Sequence, residues 1–367
     1  MRLLISIPAT LALVYRAWSH KSLTPAGIAA AVVTALVHSL HPWSAPFALL
    51  GVFFLAGTAV TKVKHDIKSK LTLSATGNPS SSGGGESARN YIQVLANSLP
   101  ASILIVLHVL QCIERNSFGI DCWRYGRDPL MVGIVANYAA VSADTFSSEL
   151  GILSRSKPRL ITSTRLRPVP PGTNGGVTLY GLLAGFLGAF IIAVTSAITI
   201  PFCQPQNSPV TKWEVWSIKD RLVWVAVVTL WGGLGSVLDS VLGGWLQASV
   251  VDLRTGKIVE GMGGGKVLVV SEKKKTQQGN PTTTTTITTT GSSQPASGMK
   301  LRSSKQVPAP ASAVEPKLTT STPMSSSRKI ESGLGILDNN AVNLLMALIM
   351  SFGAVWVSSV VWDRPVF

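Results

Sequence analysis

Eight stretches of this sequence are apolar for long enough, or nearly so, to cross the hydrocarbon of a bilayer: 3–18, 23–41, 43–61, 91–111, 129–149, 176–203, 221–248 and 339–362. A helix needs about 20 apolar residues for that crossing. Lipid offers no water to backbone N–H and C=O groups, so such segments must satisfy themselves as helices. The expected fold class is therefore all-α, a polytopic integral membrane bundle with eight transmembrane helices. The first stretch is short and follows Arg2, as a signal peptide would. It is read as a retained helix because no small-residue cleavage site precedes Arg16; cleavage would leave seven spans. Composition agrees, with 46% hydrophobic and only 13% charged residues and a mean hydropathy of +0.35. Soluble domains carry about 25% charge.

The intervening segments set the organisation. A bundle of seven helices is expected over 1–261, interrupted at 62–90 by a loop that starts basic and ends Gly/Ser-rich. Residues 262–332, with "SEKKKTQQGNPTTTTTITTT" in their midst, are expected to be a low-complexity loop with too little apolar surface to order itself. Residues 333–367 supply the final helix. The net charge of +15 would suggest nucleic acid in a soluble chain. Here the basic residues lie between apolar runs with few aromatics among them, so a nucleic-acid partner is excluded and the lipid bilayer is the partner.

Alternating loops put 24 of the 32 Lys and Arg on the face that holds 17–22, 62–90, 150–175 and 249–338, and 8 on the other. With the long last loop reduced to Arg254, Lys257, Lys266, Arg328 and Lys329, the balance is 17 against 8. The positive-inside rule then makes that face cytosolic, in the endoplasmic reticulum or another endomembrane by default. Cys112, Cys122 and Cys203 fall on or near the opposite face. They allow one disulfide, most simply Cys112–Cys122, or three thiols.

Polar groups inside a membrane are costly and mark functional candidates. Four clusters lie on the basic face although they are far apart in the chain. "VSADTFSSELG" carries Asp144 and Glu149, and "GSVLDSVLGGWLQ" carries Asp239. "GILDNNAVNLL" carries Asp338, Asn339, Asn340 and Asn343, and the Gly-rich turn "PPGTNGG" holds Thr173, Asn174, Gly175 and Gly176. Asp144, Glu149 and Asp239 are the catalytic candidates. Asp144, Asp239, Asp338, Asn339, Asn340 and Asn343 suit Mg²⁺, a hard cation that takes oxygen ligands and shares them with phosphates. Asp144 and Glu149 sit about 140° apart around a helix, so they meet one site only if the helix bends or ends between them. Asp338 could equally be a helix N-cap. The Gly-rich turn is expected to present N–H groups to a phosphate at the start of the sixth span, with Arg159 and Arg167 upstream as clamps and Asn97 contributing from the fourth span. Glycines 181, 185 and 188 in the sixth span and 232, 233, 235, 243 and 244 in the seventh suit close helix packing. Some could leave room for a substrate chain.

At these clusters the chain resembles the transmembrane protein 19 family, whose plant members are phytyl-phosphate kinases. The stretches that carry the resemblance are "AVSADTFSSELGILS", "PRLIT", "VPPGTNGGVT", "LGSVLDSVLG" and "LDNNAVNL", with "LTPAGIAAA", "GTAVTKVKHDIK" and "RNYIQVLANSLP" towards the N-terminus. The likeness covers roughly 20–260 and 333–360. Where the family reads Gly-Asp, this chain has Ala143-Asp144, and where it reads Asn-Gly-Gly it has Asn97-Ser98-Leu99. The resemblance implies a kinase that uses CTP or ATP and Mg²⁺ to convert an isoprenyl monophosphate to the diphosphate. The prenyl tail would lie beside the glycines of the sixth and seventh spans. No residue is a clear general base, and Asp144 is the least unsuited candidate. The same carboxylates would also suit a transporter or lipid-handling protein that binds a coupling ion, or a non-catalytic bundle that uses them structurally.

Overall fold

A computed structural model describes residues 3–74, 88–114, 122–124, 128–203, 216–267 and 328–363. The core of the low-complexity loop and most of the Gly/Ser-rich linker lie outside the described residues. All eight apolar stretches form helices: α1 (Leu3–Ser19), α2 (Pro25–Ser39), α3 (Ala45–Lys62), α5 (Tyr91–Glu114), α6 (Pro129–Gly151), α7 (Leu179–Thr199), α8 (Ile218–Leu246) and α9 (Asn339–Trp362). A four-residue turn of helix, α4 (His65–Lys68), follows α3. Six of these are long and apolar enough to cross a membrane, whereas α1 and α2 are shorter apolar helices.

α6 is the axis of the bundle. Of its most apolar window 78% is buried, against 28–44% in the other five long helices. Its sequence explains this, because Gly133, Ala136, Ala139, Ala140 and Ala143 let neighbours approach from every side. A Cβ on Gly188 of α7 would fall 2.6 Å from the Ser142 carbonyl, and one on Gly232 of α8 would fall 2.8 Å from the Ala139 carbonyl. Gly181, Gly185, Gly188, Gly232 and Gly235 are thus filled by packing against α6, and Gly233 by Phe186 of α7, which leaves no room there for a prenyl tail.

Buried polar side chains lock the helices in register. Pro100 in α5 has no N–H to continue the helical ladder. Separately, the Asn97 carbonyl accepts from Asn137 Nδ2 of α6 at 2.9 Å, and Asn137 Oδ1 accepts from Ser351 Oγ of α9 at 3.1 Å. Asn137 is wholly buried, so its two bonds join three helices where no water can substitute.

Two small sheets add to the helical expectation. β1 (Leu73–Ser74), β4 (Ser249–Asp252), β5 (Ile258–Glu260) and β6 (Arg328–Ser332) form a sheet ordered β1-β5-β4-β6, with β1 parallel to β5 and the other pairs antiparallel. The β4–β5 hairpin turns where Asp252 Oδ1 accepts from the Arg254 and Thr255 amides. β2 (Arg159–Leu160) pairs with β3 (Gly176–Val177). Residues 328–332, read from sequence as the end of the low-complexity loop, are a strand against β4. Isolated five-residue strands carry little signal, and only pairing reveals them.

At the other end, Cys122 is joined to Cys203. This corrects the Cys112–Cys122 pairing suggested by proximity in sequence. Trp123 donates to the Pro201 carbonyl and Cys203 donates to the Trp123 carbonyl, which lays the two loops side by side. Trp123, Phe202, Trp216 and Trp224 pack around them. Cys112, on the last turn of α5, stays outside the bridge. Non-reducing peptide mapping of the purified protein should recover a Cys122–Cys203 cross-linked peptide; a Cys112–Cys122 peptide would contradict this end of the fold.

Candidate functional site

The crossing of α6 and α8 brings Asp144 and Asp239 into contact. Their carboxyl groups lie within hydrogen-bonding reach of one another, and both residues are half-buried. Small residues permit this approach: Gly235 sits on Ala140, and Gly185 of α7 faces Ala143 and Ser147 of α6 and Ser236 of α8. Two touching carboxylates repel unless a proton or a cation lies between them. Asp239 Oδ1 is enclosed with no hydrogen-bond partner among the described residues, and so is the hydroxyl of Ser236, three residues earlier on the same helix. Residues three apart share a helix face. Asp239 Oδ1 and Ser236 Oγ are therefore two enclosed oxygens on one face of α8 without a partner among the described residues.

The Gly-rich turn reaches the same place. Gly172 (φ 86°) and Gly175 (φ 76°) take the left-handed conformation that side chains disfavour. A Cβ on Gly175 would lie 2.7 Å from Gly244 Cα and 2.8 Å from the Ser240 carbonyl, so the turn rests on α8 one residue beyond Asp239. Three of its five amides are engaged within the fold. Thr173 N donates to the Pro170 carbonyl, Asn174 N to Ser249 Oγ, and Gly176 N to the Thr173 carbonyl. Thr173 Oγ1 donates to the Pro170 carbonyl and Asn174 Nδ2 to the Ala248 carbonyl. α7 starts only after the β3 strand, with Thr178 accepting from Gly181 N as its cap. The expected nest of N–H groups at the start of the span is thus in part bonded within the fold, and the turn is a wedge that couples the α8 terminus to the loop. The clamps are similarly engaged. Arg167 donates to Glu331 Oε1 at 2.6 Å and to its carbonyl at 2.9 Å, and Arg159 donates to the Leu166 carbonyl.

Glu149 faces elsewhere. As the 140° separation implies, it leaves Asp144 on the opposite side of α6 and turns to α3 and α4. Lys68 Nζ donates to Glu149 Oε2 at 2.7 Å and to the Thr61 carbonyl at 2.7 Å; the Lys68 side chain is fully buried. Thr61 Oγ1 donates to Glu149 Oε1, and Arg89 Nη2 donates to Thr61 Oγ1. Neutralised in this way, Glu149 is a structural anchor and not part of the acid pair. Lys68 and Arg89 were missed from sequence. Lys68 is one of several lysines in "KVKHDIKSK", and nothing local singles it out. A charged residue beside the "NYIQVLANS" helix start was the one available signal for Arg89.

The start of α9 contributes less than expected. Asp338 Oδ1 accepts from Ala341 N and caps the helix, which is the capping reading. Asn340 Nδ2 donates to the Gly263 carbonyl, while its Oδ1 is enclosed without a partner among the described residues. Asn339 and Asn343 are partly exposed on the first turns. Among the described residues no group of three or more His, Cys, Asp or Glu gathers, so the six proposed Mg²⁺ ligands do not form one set. The oxygen-only character of Asp144, Asp239 and Ser236 nonetheless fits a hard cation. The Asn97 side chain lines a separate cavity.

The family described as "Integral membrane protein DUF92" matches residues 8–351. The chain belongs to the DUF92 family of integral membrane proteins. It is 35% identical to Protein PGR of Arabidopsis thaliana over 257 residues, covering 68% of this chain and 80% of that protein. It is 30% identical to Protein VTE6, chloroplastic, of the same plant over 171 residues, 47% of this chain and 46% of the relative. An uncharacterised membrane protein of Methanocaldococcus jannaschii is 36% identical over 146 residues, 40% of this chain and 50% of that one. No solved structure matches the chain. Membership of an integral membrane family agrees with the fold and with the resemblance read from the motifs.

The Lys68–Glu149 pair gives a test of the site's frame. Removing one partner of a buried pair costs about 3–5 kcal/mol, so Lys68→Met should lower the unfolding midpoint in detergent sharply. Lys68→Met combined with Glu149→Gln should recover most of the loss. Equal stability of the single variant and the parent would show that the pair is not buried.

Proposed function

We propose that this protein is a membrane-embedded phosphotransferase that converts an isoprenyl monophosphate to the diphosphate at the expense of CTP or ATP. The observation that carries the reading is the contact of Asp144 with Asp239 and the unsatisfied oxygens beside it. An acid pair of this kind, held where a basic loop meets the bundle end, matches what phosphoryl transfer asks of a protein: positioning and charge neutralisation in place of covalent chemistry. The family resemblance supplies the reaction class.

In this reading Asp144 and Asp239, with Ser236, would hold Mg²⁺. When bound, the cation neutralises phosphate charge as it builds up during transfer. A phosphate oxygen of the monophosphate forms a bond to the γ-phosphorus of the nucleotide, the bond to the bridging oxygen breaks, and the nucleoside diphosphate leaves. The attacking phosphate oxygen is already anionic, so no strong base is needed, consistent with the lack of a His beside the pair. Arg155, Lys157, Arg159 and Arg165, all exposed, form a positive approach that raises the local concentration of nucleotide. The wedge at Gly175 keeps Ser240 and the end of α8 in place beneath it. The Lys and Arg imbalance supports a cytosolic position for this end, where nucleotide is available.

Purified protein supplied with radiolabelled CTP or ATP, Mg²⁺ and geranylgeranyl phosphate should form the labelled diphosphate. Asp144→Asn and Asp239→Asn should each lower kcat about a hundredfold or more, with unchanged helix content by circular dichroism. No product across a panel of prenyl phosphates and both nucleotides would discard the kinase reading and leave ion-coupled lipid transport by the same pair.

A further inference from the structure

One glycine of α8 is not explained by packing. A methyl added to Gly232, Gly233, Gly235 or Gly244 would fall 2.3–2.9 Å from a neighbouring atom, so each of these bare positions answers a close contact. At Gly243 the nearest atoms stand at 3.6 Å (Gln247 Oε1), 3.7 Å (Asn174 Cβ) and 4.0 Å (Gly175 N), and a methyl would fit. Glycine inside a helix is less stable than alanine. The fold by itself would therefore favour a side chain at this position.

The surroundings give the gap its chemistry. Ser236, Asp239 and Gly243 are spaced three and four apart, so they stand in line on one face of α8. Ser236 is only 2% exposed, and its hydroxyl and Asp239 Oδ1 are both enclosed without a partner among the described residues. Gly243 lies one turn beyond them, nearer the end of the helix. Across the gap is the Gly-rich turn. Gly175 is buried, and its N–H, unlike those of Thr173, Asn174 and Gly176, donates to no described residue. Buried amides without an acceptor are rare. The remaining wall is the far end of the Gln247 side chain, which can swing aside. Two free oxygens, a methyl-sized gap and one unused donor thus follow one another along the entry to the acid pair.

We infer that a phosphate group of the substrate seats over Gly243, with one oxygen accepting from Gly175 N–H, another turned toward the Asp144–Asp239 pair, and Gln247 displaced to admit it. The inference rests on the phosphotransferase reading for the source of the phosphate, and it adds the seat to that reading. A hydrogen bond to an ionised phosphate oxygen is of the strong, charge-assisted kind, and it satisfies the unused amide. A cation held by Asp239 and Ser236 would lie on the other side of the same group, so the order of acceptors, gap and donor matches a phosphate with its counter-ion. A prenyl alcohol brings no charge to that position. The residue at 243 then sets a size limit: glycine leaves the space, and alanine fills it. The prenyl phosphate and the nucleotide both carry the group that this seat recognises.

The test uses the full-length protein in detergent with Mg²⁺ and reads the unfolding midpoint against added ligand, since binding to the folded state raises it. Geranylgeranyl phosphate, CTP, ATP and geranylgeraniol are titrated separately. Without ligand, Gly243→Ala should unfold at the parent's midpoint or above it. Gly232→Ala, whose methyl meets Ala189 Cβ at 2.7 Å and the Ala139 carbonyl at 2.8 Å, should unfold well below it. In Gly243→Ala the Kd should rise about tenfold or more for the ligand whose phosphate takes the seat. That ligand is geranylgeranyl phosphate if the acceptor occupies it, and CTP or ATP if the donor does. Geranylgeraniol should not distinguish variant from parent. The inference is overturned by unchanged Kd values for every phosphate, by an equal loss for geranylgeraniol, by a ligand-free midpoint as low as that of Gly232→Ala, or by a parent that no phosphate stabilises. Phosphotransfer measured on the same samples separates the two ideas. Phosphate binding that Gly243→Ala weakens, in a protein without turnover, sinks the kinase reading alone. Turnover that is indifferent to Gly243→Ala sinks the seat alone.

Discussion

A polar group inside lipid must find its partner within the protein, and α6 is where this chain meets that constraint. The helix carries Asn137, Ser142, Asp144 and Glu149 on a backbone of alanines and glycine. Such a segment would be unstable against lipid, so it is wrapped by α3, α5, α7, α8 and α9. Asn137 is satisfied by α5 and α9, Ser142 donates to the Gly188 carbonyl of α7, and Glu149 is neutralised from α4. The close approach of the neighbours, which leaves glycines of α7 and α8 no space for a side chain, follows from the need to enclose these groups.

Asp144 stands out because the protein does not complete its environment. Its partner Asp239 is another acid, and the enclosed Asp239 oxygen and Ser236 hydroxyl lack protein partners among the described residues. Glu149, by contrast, is matched by Lys68. The contrast on one helix, between an anchored acid and an acid pair left open, separates a structural role from a chemical one more sharply than depth in the membrane does.

Much of this was legible beforehand. The eight apolar runs map onto α1–α3 and α5–α9, with ends that shift by a few residues where caps such as Thr178 and Asp338 take effect. Asp144 and Asp239 stood out because charge in an apolar run is rare. The Gly-rich turn was legible as a turn next to the site, but not as a wedge tied down through Asn174, since its partners Ser249 and Ala248 lie about 75 residues away. The Cys122–Cys203 bridge was hidden for the same reason: the partners are 81 residues apart, and ten-residue proximity favoured the wrong pair.

Taken alone, the order of residues determined that the chain lies in a membrane, how many helices it makes and which acids are out of place in lipid. These follow from local quantities, the length and polarity of each run. Which carboxylates meet and which are neutralised were decided only by the helix crossings. Asp144 and Glu149 are five residues apart, yet the turn of the helix between them sends one to α8 and the other to Lys68, because angular position around an axis gains meaning only once the neighbours of that axis are in place.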